Sequence, residues 1–96
     1  MFEIELLPQA ENELAEAFDW YEEQLAGLGN KLYKEVDYYF TAIGKNPYHY
    51  PIKYKGDLHA VALNKFPYLI IYWVDQLNNL IIVISIFHTS REPKRL

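Results

Sequence analysis

The chain has no cysteine, one methionine and four glycines in 96 residues. Without cysteine, disulfides and thiolate chemistry are excluded, and His49, His59 and His88 do not have the spacing of metal ligands. No apolar run reaches the ~18 residues that a membrane span requires. The opening Met1-Phe2-Glu3-Ile4-Glu5 does not have the pattern of a signal peptide. These absences lead to the expectation of a cytoplasmic protein that uses no metal and no cofactor.

Basic residues are scarce in one half only. Residues 1–44 hold ten acids against Lys31 and Lys34, a net of -8, whereas residues 45–96 hold seven bases against three acids, a net of +4. Two readings stay open: an acidic half that faces a basic partner, or an acidic solvated helix beside an ordinary sheet.

Apolar and aromatic residues, in contrast, are abundant, at 51% and 17%. At this length they predict one folded domain over residues 1–96. The stretch Lys65 to Pro93 organises it. Phe66–Val74 and Leu80–Phe87 are rich in Ile, Val, Tyr, Phe and Trp and read as strands. Asp75-Gln76-Leu77-Asn78-Asn79 between them tolerates tight-turn angles. Both strands are apolar at almost every position, which predicts central strands covered on both faces.

Upstream, Phe2, Ile4 and Leu6 alternate with Glu3 and Glu5, the period of a half-exposed strand. Pro8 suits a first helical turn. Ala10, Leu14, Ala17, Phe18, Tyr21, Leu25 and Leu28 then recur at helical steps, with Gly27 and Gly29 as the expected stop. Leu32, Val36, Tyr39, Phe40 and Ile43 make a second apolar face, ended by Gly44 and Pro47. Asn46–Gly56 reads as an irregular aromatic and basic connector whose tyrosines staple it to the core or stack on bases. Leu58–Leu63 reads as a further strand. The predicted class is α+β: an N-terminal strand and an antiparallel helix hairpin packed on a small, mainly antiparallel sheet.

Taken together, these features resemble the RelE/ParE superfamily, toxins of bacterial type II toxin–antitoxin modules also called plasmid stabilisation proteins. The resemblance runs through the strand ending in Pro8, the second helix ending in Gly44-Lys45-Asn46-Pro47, and Phe66-Pro67-Tyr68-Leu69-Ile70-Ile71-Tyr72. It closes with Ile84–Phe87 running into His88-Thr89-Ser90-Arg91-Glu92-Pro93. The pairing of FPY…IY with H..R.P is its most specific part, and the departures from RelE-like nucleases given below place the chain closer to ParE-like members.

The resemblance implies a cognate antitoxin and a target inhibited by the free toxin. ParE-like members bind DNA gyrase; RelE-like members cleave messenger RNA on the ribosome without a metal. In RelE-like nucleases, lysines and arginines on the middle strands act with a C-terminal tyrosine. The matching places here hold Ala60, Ala62, Leu69 and Thr89, and no tyrosine follows Tyr72. That departure weighs against RNA cleavage, which needs a base, an acid and cations around the phosphorane.

Three outcomes therefore stand: a gyrase-type inhibitor, a ribosome-dependent endoribonuclease built on His88, Arg91 and Lys65, or an inactive relic that still binds antitoxin. Arg91, His88, Lys65 and Tyr68 are the expected target contacts. His88, at a strand end, has the plainer reading of a hydrogen-bonded structural residue, and Arg91 that of a local ion pair. Glu13, Glu16 and Glu23 on the first helix are the expected contacts for a basic antitoxin segment. No membrane partner is expected.

Overall fold

The computed structural model describes residues 1–90, so Arg91 and the rest of the basic tail lie outside the described residues. The elements run β1 (Glu3–Leu6), α1 (Pro8–Gln24), α2 (Leu28–Lys45), β2 (Ile52–Tyr54), β3 (Leu58–Ala62), β4 (Tyr68–Asp75) and β5 (Leu80–His88). One sheet holds all five strands in the order β1-β5-β4-β3-β2. β1 joins β5 in parallel, with Ile4 opposite Ile81, and every other pairing is antiparallel.

Strand alternation divides the sheet into two faces. Val61, Ile70, Tyr72, Ile81, Val83 and Ile86 belong to the same buried cluster as Ala10 and Ala17 of α1 and Leu32, Val36 and Ile43 of α2. Phe2, Ile4 and Leu6 pack on that cluster, as their alternation with glutamate predicts. The hairpin turn also forms as expected: the Asp75 carboxylate accepts from the Asn78 N–H at 3.3 Å, and Asn79 takes φ 55. Where Ile71 faces Ser85 and Tyr72 faces Val83, Ile84 is the extra residue of a bulge.

The expectation that β4 and β5 are covered on both faces needs correction. Both helices pack on one face, and the intervening positions point to the other. There Ala60 faces Ile71 and Ala62 faces Leu69 across the ladder. Trp73, on that face, is 40% exposed. Among the described residues the apolar run does not report a second helix layer, although Ile71 is fully buried.

Three smaller corrections follow. Leu25 is not part of the buried helix face: it caps α1 in an extended conformation and is 63% exposed. Gly29 does not end α1 but lies in the first turn of α2, and Leu28 begins that helix; only Gly27, at φ 91, makes the break. The Glu22 carboxylate, reaching back from α1, accepts from the N–H groups of Gly27 at 3.0 Å and Gly29 at 2.8 Å. It thereby satisfies orphan donors at the positive end of α2. The third correction is β2, a short edge strand inside what reads as an irregular connector.

Candidate functional site: an aromatic groove between α1 and the ends of β4 and β5

Four expected contact residues, separate in sequence, meet in one groove. Its volume is about 730 Å³, and its lining includes Glu13, Glu16, Trp20 and Tyr21 from α1, and Tyr68, His88 and Ser90 from the sheet. Helical spacing sets the first wall, since positions 13, 16, 17 and 20 fall along one side of α1. The register of the sheet sets the second. Tyr68 and His88 are paired residues of β4 and β5, and their rings meet edge to face at 5.0 Å.

The Ser90 backbone N–H donates to His88 Nδ1 at 3.2 Å, and the Ser90 hydroxyl lies 2.6 Å from the same nitrogen. Thr89 is tied to the Pro67 carbonyl by its N–H at 2.8 Å, which fixes this end of the sheet. Burial raises the pKa of the Tyr21 phenol, so at neutral pH the ring is an uncharged wall. Elsewhere on α1, Glu13 Oε1 accepts from Ser85 Oγ at 2.8 Å and from the Ile86 N–H at 2.9 Å. Glu13 is therefore partly a structural residue, whereas Glu16 stands exposed at the rim.

Not every expected residue joins this groove. Lys65 lines a second one, about 930 Å³, with Lys31, Lys34, Tyr38, Tyr39 and Phe66. Its backbone N–H donates to both oxygens of Glu35 at 3.0 Å. Glu23 is exposed on α1 and lines neither groove.

Trp20 and Tyr21 carry much of the first groove but were not among the expected contacts. Their adjacency on a helix already rich in apolar residues gave no sign that one of them opens to solvent. The remaining histidine is structural: His59 is buried, stacks on Tyr72 at 5.0 Å and donates through Nδ1 to the Tyr50 carbonyl at 2.6 Å. Of the connector tyrosines, Tyr50 packs against the core, and the half-exposed Tyr48 bonds through its hydroxyl to Gln76. Among the described residues no group of acids and histidines is placed to hold a metal, and no helix is long and apolar enough to cross a membrane.

The family model for the ParE toxin of the type II toxin–antitoxin system parDE matches residues 4–93. The chain belongs to the ParE toxin family. Two solved structures share the fold. The chromosomal ParDE toxin–antitoxin system from P. aeruginosa superposes with a TM-score of 0.78 at 12% identity, over 92% of this chain and 96% of that one. The isolated E. coli RelE toxin superposes with a TM-score of 0.71 at 15% identity, over 97% and 89%. No curated protein matches the chain. Family membership makes this chain a type II toxin, the kind of protein that has an antitoxin partner. Within the family fold, its groove combines two helix carboxylates with Trp20, Tyr21, Tyr68 and His88.

Proposed function

We propose that this ParE-family toxin is neutralised by a cognate antitoxin and, when free, inhibits a bacterial target by binding it, with DNA gyrase the leading candidate. The observation that carries this reading is the apolar character of the sheet face away from the helices. Ala60 and Ala62 lie across from Ile71 and Leu69 there, at the places where RelE-like nucleases set their cations. A protein without clustered lysine or arginine at those places lacks the charge to stabilise a cleaving phosphodiester or to hold a nucleic acid backbone. Inhibition by occupancy needs no such set.

In this reading Tyr68 and His88 of the first groove, Lys65 of the second, and Arg91 contact the target in the cytoplasm. An antitoxin seated over the first groove would bury Tyr68 and His88 and so exclude that target. A ribosome-dependent, metal-independent endoribonuclease is the second reading. One observation favours it: His88 and Tyr68 meet in a groove and are both proton-transfer groups.

Growth after inducing the gene alone, compared with co-expression of the adjacent gene, tests the proposal. Arrest relieved by the neighbour is expected. Healthy growth with soluble protein present would instead favour an inactive antitoxin-binding relic.

A further inference from the structure

The two grooves meet at a single residue. Tyr21 lines both, and its ring stands between Phe66, at 5.0 Å and 77°, and Tyr68, at 6.5 Å and 68°. Among the described residues the sign of charge changes across this divider. On one side are Glu13 and Glu16 beside Trp20; on the other are Lys31, Lys34 and Lys65. The one acid on the lysine side among the described residues, Glu35, is already held by the Lys65 N–H. Lys31 and Lys34 are exposed and Glu16 is exposed, so their charges face solvent.

We infer that the grooves are two halves of one channel that takes a single charge-polarised segment of the antitoxin. A basic residue of that segment lies against Glu16 and the Trp20 ring, where a carboxylate and an aromatic face both favour a cation. An apolar residue sits on the Tyr21–Phe66–Tyr68 divider. An acidic residue lies against Lys31 and Lys34. Charge complementarity decides the class of occupant. A nucleic acid strand carries the same charge along its whole length, so a strand held by the lysines would run its next phosphates past Glu13 and Glu16. A peptide changes sign along its length and suits both halves. The inference rests on the antitoxin reading above and adds the order of charges the antitoxin must present.

Synthetic peptides test it on the full chain by titration calorimetry. Two peptides carry arginines at one end, leucine and phenylalanine in the middle and glutamates at the other, in the two chain directions. A third has the same composition with its charges mixed. One polarised peptide is expected to bind at least about fivefold more tightly than the mixed one, the scale of a few partly exposed charge contacts. Glu16→Lys should remove that preference, and replacing the peptide's arginines by glutamates should restore binding to this variant alone. Lys31→Glu with Lys34→Glu should behave in the same way toward the acidic end.

Equal binding of polarised and mixed peptides, or no binding by any of them, overturns the inference. So does a single-stranded oligothymidylate that binds the wild type and is lost on Lys34→Glu. The readout is separate from toxicity: a harmless protein can still prefer the polarised peptide, and a toxic one can fail to.

Discussion

Glu13 joins α1 to β5 by accepting two hydrogen bonds on one carboxylate oxygen, from the Ser85 hydroxyl at 2.8 Å and the Ile86 N–H at 2.9 Å. The contact sits beside the bulge at Ile84, where the ladder is interrupted and polar groups need another partner. Ser85 is fully buried. Glu13→Ala therefore leaves a buried hydroxyl and a backbone donor unsatisfied, and should cost about 1–3 kcal/mol. Urea unfolding of Glu13→Ala, Ser85→Ala and the double variant checks this. The double variant should lose less than the sum of the single losses, because both changes break one network.

Tyr72 gives a prediction with a pH signature. Its ring is fully buried and its hydroxyl donates to the Pro47 carbonyl at 2.6 Å, tying the α2–β2 connector to the central strand. Burial first, and Tyr50 second, push its pKa far above the ordinary tyrosine range. The raised folded value fixes the sign: the contribution is complete below the unfolded pKa of about 10 and is lost as pH rises above it, since only the unfolded chain releases that proton. Stability should fall from about pH 10 upward, and Tyr72→Phe should flatten that fall while lowering neutral-pH stability by about 1 kcal/mol. Denaturation at pH 7 and pH 10.5 measures both effects.

Gly29→Ala should destabilise the protein although alanine is the better helix former. A Cβ built there would lie 2.7 Å from the Phe18 ring and 2.8 Å from Glu22 Cγ. The propensity gain of about 1 kcal/mol is outweighed by displacing a packed ring and the carboxylate that caps α2, which typically costs ~1–3 kcal/mol. A melting temperature equal to or above wild type would show that Phe18 and Glu22 yield freely.

These cases show what the sequence makes legible. The helices and the β4–β5 hairpin follow from local period and turn chemistry, so Leu32, Val36 and Ile43, or Ile70 and Tyr72, are readable as core. Relations between distant segments are not. Nothing near Glu13 shows that it bonds β5, and nothing near Glu3–Leu6 shows that this strand runs parallel to Leu80–Val83. The strand Ile52–Tyr54 is hidden by its length, by Pro51 and by its exposure at a sheet edge. The candidate groove is legible in parts: Glu13, Glu16, Tyr68 and His88 are each readable as candidates, but their meeting in one groove depends on how α1 packs over β5.

His88→Ala separates the two functional readings by magnitude. Most residues that only touch a target lose about 1 kcal/mol or less when truncated, which keeps the inhibiting dose within about tenfold. A general base or acid in RNA cleavage loses about 10²–10⁴-fold in rate. The binding account expects gyrase inhibition to persist within about tenfold and ribosome-bound message to stay intact with either protein.

Plasmid supercoiling by purified gyrase, titrated with the purified full chain, tests the central claim most directly. The account predicts a dose-dependent loss of supercoiling that the adjacent gene's product reverses. Unchanged supercoiling at a large molar excess of folded protein would contradict it.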